Sequence, residues 1–371
     1  MSGVISFERG NPSLDLVDVE GITEASRAVL ANDPERALGY SSPCGYTPLR
    51  EWLAKRHGVP AEQVLITNGS MQALDLIFDL LLRPGAEALI EVPTFHYTLA
   101  SLRSRDVHLR GIPVSAAGMD PAAVQARLGL DWRPALAVVT PNFQNPTGCL
   151  MSATDRMKFA EMAAKHDFFL VEDDPYRDLV FAGNVPPAIR EFNFASKVIY
   201  LSSFSKTIAP GLRCGYIIAP ESVIEGISRI ANLSYVSPGV FSQAIIYHYC
   251  VSGRSEEWLT KVRGSLRCRR DTLVDAITKE LPGARCTRPG GGFYVWVEIP
   301  GVNVRALARS ATTHGVAVMA GPEFMLEGGE TALRLSYAPL DCGRLSEGVT
   351  RLAAAIRDLP AGDLQTRAVA N

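Results

Sequence analysis

The stretch VLITNGSMQALDLIFDLLLRPGAEALIEV, residues 64–92, indicates the fold of this chain of 371 residues. Two short apolar runs, 64–67 and 88–92, flank a segment whose apolar residues recur with helical spacing from Ser70 until RPG ends it. The alternation of strands and helices continues to Pro220, with further apolar runs at 135–140, 168–172, 197–202 and 214–219. This pattern predicts an α/β fold with a doubly wound, mostly parallel sheet, in which ligands gather at the strand ends.

The rest of the chain predicts a second, smaller unit. Beyond about Leu273, a helix, the strand GGFYVWVEI, another helix, the strands VAVMAG and ALRLSYA and a final helix ending at Leu359 indicate an α+β domain. Before it lies the Arg-rich segment KVRGSLRCRRDTL, residues 261–273. We interpret this segment as the solvated face of a helix rather than as a basic patch.

Composition and charge favour an enzyme that acts on small molecules in a reducing compartment. Apolar residues make up 47% of the chain, and 37 basic against 39 acidic residues give a net charge of −2. This balance gives no electrostatic reason to bind nucleic acid or an anionic membrane. The seven cysteines form no C-x-x-C pair, which argues against a disulfide framework and a zinc site. No signal peptide or membrane span is recognisable, so we expect a cytoplasmic protein without a metal.

A first cluster of chemical interest opens the helix in TNGSMQALDL, residues 67–76. Gly69 and Ser70 stand where free backbone N–H groups and the helix dipole face the end of a strand, which predicts an anion site. An ordinary serine N-cap is the alternative.

A second cluster is SSFSKTIAPGLRCG, residues 202–215. Ser203, Ser205 and Arg213 are suited to a phosphate cage, and Lys206 beside them supplies an amine for a carbonyl group. A surface loop with a solvated lysine is the alternative.

Two further clusters follow other strands. In VEDDPYRDL, residues 171–179, Asp173 lies just past an apolar run, where a carboxylate can hold a protonated ring nitrogen or simply cap a helix. Its neighbour Asp174 points the other way if the strand continues, so we expect its replacement to be mild. In TPNFQNPTG, residues 140–148, Asn145 precedes Pro146 and either aims its amide into a cleft or belongs to a plain turn.

Taken together in their order along the chain (67–76, 140–148, 171–179 and 202–215), the four clusters resemble the fold-type I pyridoxal-phosphate (PLP) aminotransferases of class I/II, with closest similarity to the 2-aminoadipate and kynurenine aminotransferase branch. The resemblance runs from about Tyr40 to Tyr337. It implies a three-layer sandwich as the large domain and PLP as the cofactor. The expected division is an N-terminal arm with part of the small domain at 1–39, a large domain at 40–272, a small domain at 273–360 and a disordered tail at 361–371.

Carried over position by position, the resemblance implies that Lys206 holds PLP as an internal aldimine. Asp173 would pair with the pyridine nitrogen, and Tyr176 and Asn145 would hydrogen-bond the O3′ oxygen. Arg334 in ALRLSYA would bind the α-carboxylate of the substrate. The residues that would hold the phosphate are Gly69, Ser70, Met71, Ser203, Ser205 and Arg213. Tyr40 matches a tyrosine that reaches the phosphate of the neighbouring subunit, which implies a homodimer with shared active sites.

Three positions depart from the family pattern. Phe95 in EVPTFHYTL stands where the family usually has a tyrosine over the cofactor ring, and it can stack but cannot donate a hydrogen bond. Met71 stands where glutamine is frequent. Arg9 in ISFERGNP occupies a segment that covers the substrate in relatives. We expect Arg9 near the substrate, assign no role to His96, and leave the side chain of the substrate open.

The leading hypothesis is an aminotransferase that moves an amino group between an L-amino acid and a 2-oxo acid. The alternative within the same cofactor class is a biosynthetic enzyme of other outcome, namely decarboxylation, oxidative deamination with O2, or β/γ-elimination. A third hypothesis is a non-catalytic PLP-binding sensor, because relatives serve as ligand sensors fused to DNA-binding modules. The sequence contains no basic helix-turn-helix segment ahead of Val4, which disfavours the sensor.

Overall fold

The computed structural model describes residues 3–129 and 132–364. Numbered along the chain, the strands are β1 (Ile5–Ser6), β2 (Val64–Thr67), β3 (Glu87–Val92), β4 (His108–Ser115), β5 (Gly118–Met119), β6 (Leu136–Val139), β7 (Phe169–Asp173), β8 (Val198–Ser203), β9 (Gly215–Ile218), β10 (Arg285–Cys286), β11 (Tyr294–Glu298), β12 (Val316–Ala317), β13 (Met319–Ala320) and β14 (Ala332–Ser336). The α-helices are α1 (Val19–Asn32), α2 (Pro34–Leu38), α3 (Thr47–His57), α4 (Ser70–Leu81), α5 (His96–Arg103), α6 (Pro121–Leu128), α7 (Ala153–His166), α8 (Glu221–Tyr235), α9 (Val240–Val251), α10 (Arg254–Glu280), α11 (Val304–Thr313) and α12 (Cys342–Arg357).

The large sheet has the strand order β2-β9-β8-β7-β6-β3-β4-β5. Neighbours from β8 to β4 run parallel, whereas β9 is antiparallel to both β8 and β2, and β5 is antiparallel to β4. The predicted mostly parallel sheet is therefore confirmed. All six apolar runs form strands, and the sequence reading missed β4, whose exposed Arg110 and interior Pro113 hide a strand near the sheet edge.

Helices cover both faces of this sheet because successive strand residues point to opposite sides. In β3, Leu89 packs with α6 and α7, whereas Ile90 packs with α4, α5 and α8. Beyond β8, the face of Leu89 is covered by α1, α3 and α9. The result is the predicted three-layer arrangement, with the parallel strands ending together at one edge.

The smaller unit contains the antiparallel sheet β10-β11-β14-β13 with α11 and α12. The N-terminal segment joins it, because β1 pairs with β12 and Phe7 is fully buried in the same core. Residues 361–364 differ from the predicted disordered tail, since they form a short turn in which Leu364 bridges Val302. The remainder of that predicted tail, 365–371, lies outside the described residues.

Helix α10 is continuous from Arg254 to Glu280, so the boundary predicted at 272/273 lies inside it. The division into domains stays a prediction. The solvated-face interpretation of this helix is wrong for Arg269 and Arg270, which are both buried. Arg269 donates hydrogen bonds to the hydroxyl of Ser13 and the carbonyl of Ala338 at 2.7 Å each, and it thereby ties the N-terminal segment to the smaller unit.

Within the described part of the chain, none of the helices has the length and apolar character needed to cross a membrane. All seven cysteines are free thiols.

Candidate active site

A cavity of about 660 Å³ lies where the parallel strands end, and its wall also includes the N-terminal segment and β14. It brings together most of the residues that the sequence pointed to, from segments far apart in the chain. The predicted site residues in its lining are Arg9, Ser70, Met71, Phe95, Asn145, Asp173, Tyr176, Ser205, Lys206, Arg213 and Arg334.

Three predicted residues lie elsewhere. Gly69 stands directly behind Arg213, and Ser203 supports Ser205 by accepting a hydrogen bond from its backbone N–H at 3.1 Å. Tyr40 is 91% exposed on the loop before α3, away from the cavity of its own chain. The single chain therefore gives Tyr40 no role in its own site.

Lys206 follows β8 and reaches into the cavity, where its Nζ donates a hydrogen bond to the carbonyl of Gly10 at 2.7 Å. Burial lowers the pKa of Lys206, and the charge of Arg334 acts in the same direction. A lysine with a lowered pKa keeps more of its amine neutral, which is the form that attacks a carbonyl carbon. The alternative of a solvated surface lysine is excluded.

Asp173, the last residue of β7, presents a carboxylate to the same cavity. Its Oδ1 is buried and has no hydrogen-bond partner in the described structure. Burial and the neighbouring charge of Asp174 raise the pKa of Asp173 to about 7. A buried acceptor without a partner costs about 1–3 kcal/mol, so this oxygen is suited to a cationic N–H donor such as a pyridinium.

The start of α4 forms an anion cradle. Gly69 is the N-cap with φ of 92°, so the hydroxyl of Ser70 does not cap the helix and the serine-cap alternative falls away. A Cβ on Gly69 would lie 2.5 Å from Arg213 Nη2, and one on Gly215 would lie 2.6 Å from the carbonyl carbon of Gly69. Free helical N–H groups, the hydroxyl of Ser205 and the guanidinium of Arg213 thus surround one space that fits a phosphate.

Arg334 on β14 is 1% exposed and is held from several sides. It donates to Asn145 Oδ1 at 3.0 Å and to the carbonyl of Glu8. Its guanidinium also lies 4.3 Å from the ring centroid of Tyr294. Arg334 Nε is buried without a partner, so donor capacity remains for a carboxylate.

Aromatic side chains line the rest of the cavity. Tyr176 is buried, and its hydroxyl donates to that of Tyr294 at 3.4 Å. Phe95 lies at the start of α5 beside His96, and burial together with the charge of Arg334 lowers the pKa of His96 to about 4. His96 is therefore neutral at neutral pH. Arg9 lies exposed at the mouth.

Sequence reasoning missed Gly10 and Tyr294. A Cβ on Gly10 would fall 1.7 Å from the Tyr294 hydroxyl, so only glycine fits there. Gly10 belongs to ISFERGNP, and its glycine was a signal that could have been used. Tyr294 belongs to a run that reads only as a strand, and its contact with Arg334 arises from the pairing of β11 with β14.

Asp174 also differs from expectation. It lines a different cavity from Asp173, but it is fully buried, and its Oδ1 accepts a hydrogen bond from Asn142 Nδ2 at 2.7 Å. Removing a buried, hydrogen-bonded carboxylate lowers the free energy of unfolding. We therefore expect replacement of Asp174 to destabilise the protein strongly, in contrast to the mild effect predicted from the sequence.

At the ends of the parallel strands, this α/β fold brings together an amine, a carboxylate without a partner and a cradle suited to a phosphate. This combination defines a PLP-dependent enzyme of fold type I. The model of the family "Aminotransferase class I and II" matches residues 2–352. The chain belongs to this family, and the predicted family, fold, cofactor and aminotransferase activity are confirmed.

Relatives and solved structures agree with this membership. The chain is 36% identical to a 2-aminoadipate transaminase of Thermus thermophilus, over 96% of this chain and 91% of that protein. It is 32% identical to an aromatic-amino-acid aminotransferase of Thermococcus litoralis, over 96% of this chain and 89% of that protein. The crystal structure of an α-aminoadipate aminotransferase of Thermus thermophilus with N-(5'-phosphopyridoxyl)-L-leucine has a TM-score of 0.91 at 35% identity, covering 96% of this chain and 92% of that one.

Proposed function

We propose that this enzyme moves an amino group between an L-amino acid and a 2-oxo acid with Lys206 as the residue that binds PLP and transfers the proton. The observation that carries the proposal is the cavity lined by both the half-buried Lys206 and Asp173, whose Oδ1 has no hydrogen-bond partner among the described residues. When bound, PLP supplies an aldehyde that takes up the amino group and a ring that accepts the electron pair left at the substrate Cα.

The residues of this chain would supply the remaining interactions and proton transfers. Asp173 would hold a protonated ring nitrogen, Tyr176 and Asn145 would hydrogen-bond the O3′ oxygen, and Phe95 would stack on the ring. The phosphate would be held by Gly69, Ser70, Met71, Ser203, Ser205 and Arg213. Lys206, once released, would take the proton from the substrate Cα and return it at C4′ of the cofactor.

Substrate binding would depend on Arg334, whose planar guanidinium suits an α-carboxylate. Its contacts with Asn145 and the carbonyl of Glu8 hold the guanidinium in place before the substrate arrives. Arg9 stands at the mouth and would contact the side chain of the substrate.

We propose a homodimer in which Tyr40 reaches the phosphate of the partner. The exposure of this large aromatic side chain in the single chain supports the proposal.

We also propose that the protein works in the cytoplasm. Its seven free thiols support a reducing compartment.

The test is to mix purified holoenzyme with a panel of L-amino acids, follow the cofactor absorbance, and identify products by mass spectrometry. A substrate should shift the absorbance and release its 2-oxo acid, and adding a 2-oxo acid should restore the original spectrum. Consumption of O2 or release of CO2 with no spectrum restored by any 2-oxo acid would favour the other PLP reactions instead.

A further inference from the structure

A second cavity, of about 640 Å³, lies against the first at the end of β7. Asp173 lines the cofactor cavity, Asp174 lines the second, and Pro175 borders both. The wall of the second cavity is polar, and the proposed function uses almost none of it. Four side chains follow one another along this wall toward Asp174, and we call them the series: Arg190, His57, Tyr216 and Ser202.

The series begins between α3 and the loop after β7. Nη2 of Arg190 lies 2.8 Å from Nδ1 of His57, and Nε2 of His57 lies 3.0 Å from the hydroxyl of Tyr216. A guanidinium can only donate, so Nδ1 of His57 accepts and Nε2 carries the hydrogen. His57 therefore donates to Tyr216.

The series ends at the backbone beside Asp173. Tyr216, on β9, lies directly opposite Ser202 on β8, and their side chains interact. Ser202 Oγ in turn donates to the carbonyl of Asp174 at 2.7 Å. Because the single hydrogen of the serine is used there, Ser202 has only its oxygen lone pairs to offer Tyr216. The contacts thus lead in one direction, from Arg190 to the carbonyl of Asp174.

The surroundings of His57 keep this direction fixed. Burial lowers the pKa of His57 to about 3, and the charges of Arg190, Arg56 and Arg177 act in the same direction. The ring is therefore neutral at neutral pH, and its tautomer is set by Arg190. The imidazole also packs 5.5 Å from the rings of Tyr200 and Tyr216.

The position of the Asp173 carboxylate depends on its own backbone, because no side chain holds its Oδ1. That oxygen has no hydrogen-bond partner among the described residues, so its place depends on the backbone at the end of β7. The two peptides on either side of Asp174 are both held: its N–H donates to the carbonyl of Leu201 at 2.9 Å, and its carbonyl accepts from Ser202 Oγ.

We propose that His57, Tyr216 and Ser202 are positioning residues that fix the carbonyl of Asp174, and through it the carboxylate of Asp173, against the ring nitrogen of the cofactor. This inference rests on the proposed function. It assigns the second cavity wall a role in tuning the cofactor, without contact to the cofactor itself.

The test compares binding of two cofactors to the full-length apoenzyme, by absorbance titration. One is PLP, and the other is 1-deazapyridoxal phosphate, in which carbon replaces the ring nitrogen that Asp173 would meet. His57→Leu should weaken PLP binding by about tenfold, the effect of misplacing one charged hydrogen bond, and should leave the binding of the deaza analogue unchanged. His57→Gln should restore PLP binding to within about twofold, because its amide can accept from Arg190 and donate to Tyr216.

Tyr216→Phe provides a second variant that removes one oxygen and keeps the ring contacts, and it should show the same selective loss. The effects of His57→Leu and Tyr216→Phe should not add, because both break one series. His108→Leu, at an exposed position on β4, is the matched control and should change neither titration.

Equal weakening of both cofactors by His57→Leu and Tyr216→Phe would show a merely structural role and overturn the inference. A His57→Gln variant as weak as His57→Leu would also overturn it. If Asp173 does not pair with the ring nitrogen as the proposed function states, the result is different, since the wild-type enzyme would then bind the deaza analogue as tightly as PLP.

Discussion

Asp173 and Arg334 each retain unused hydrogen-bonding capacity inside the cavity, at Oδ1 and Nε respectively. Folded proteins rarely bury a polar atom without a partner. Each atom therefore marks a place where a bound molecule would supply the missing hydrogen bond. For Asp173 Oδ1 that molecule is the cofactor ring, and for Arg334 Nε it is the substrate.

Asp173→Asn tests the first of these atoms. The amide keeps the size of the side chain but removes the charge that would hold a protonated ring nitrogen. Proton removal from the substrate Cα should slow by about 10²–10³-fold in single-turnover stopped-flow measurements, while cofactor is still bound. Asp167→Asn, at an exposed position, should leave the rate unchanged. A normal rate in Asp173→Asn would rule out its role.

Arg334→Lys tests the second of these atoms, Arg334 Nε. A single ammonium cannot reproduce two parallel N–H bonds to a carboxylate, so KM should rise by at least about tenfold for every amino acid substrate. Steady-state kinetics on several amino acids provide the measurement, with Arg27→Lys on the exposed surface of α1 as control. Unchanged KM values would show that the α-carboxylate binds elsewhere.

At the residue scale, the sequence predicted the groups that follow strands but not those delivered by tertiary contacts. Lys206 and Asp173 stand at the ends of β8 and β7, where the α/β pattern directs attention. Gly10 and Tyr294 come from the N-terminal segment and β11, and no local pattern says that these meet Lys206 and Arg334. Asp174 was misjudged because strand alternation gives the direction of a side chain but not its burial.

At the scale of elements, the junction of β2 and α4 links the fold to the proposed phosphate site. The φ of 92° at Gly69 lets the helix begin directly after the strand, with Arg213 packed against the glycine. Strand and helix were both predictable from periodicity here. Strand β4 was not, since Ile112 is its only fully buried residue and Arg110 and Pro113 interrupt its apolar residues.

Gly69→Ala should weaken binding of PLP by about tenfold, because the new methyl displaces the guanidinium of Arg213 from the cradle. Gly58→Ala is the matched control, since Gly58 also has positive φ, at 65°, but open space around it. Thermal denaturation of the apoenzymes should show a loss of stability for both variants, about 1 kcal/mol for Gly58→Ala in its left-handed conformation and more for Gly69→Ala, whose φ of 92° and ψ of 165° only glycine adopts readily. Equal PLP affinity in the two variants would contradict the cradle.

At the scale of the whole molecule, the proposed homodimer depends on Tyr40. Tyr40 lies on a Gly/Pro-rich loop, exposed and outside its own cavity. The dimer was inferred from the family resemblance at Tyr40, because neither the periodicity of the sequence nor the burial of residues in one chain predicts it. The fold was accessible from sequence because it depends on local patterns, whereas the assembly depends on surfaces that meet only between chains.

Complementation tests the shared site. Mixed subunits of Lys206→Ala and Tyr40→Ala should form heterodimers with both lesions in one site and the other site intact. Such heterodimers should recover up to half the activity of a wild-type dimer, provided that Tyr40→Ala alone is strongly impaired. No recovery in proven heterodimers would mean that Tyr40 serves its own chain.

The proposed chemistry depends on Lys206, and reduction of the holoenzyme with borohydride tests this role most directly. Borohydride fixes the bond between PLP and its lysine, and proteolysis followed by mass spectrometry identifies the labelled residue. The pyridoxyl group should appear on Lys206 and be lost in Lys206→Ala. A label on another lysine of the wild-type enzyme, or no label after saturation with PLP, would contradict the account.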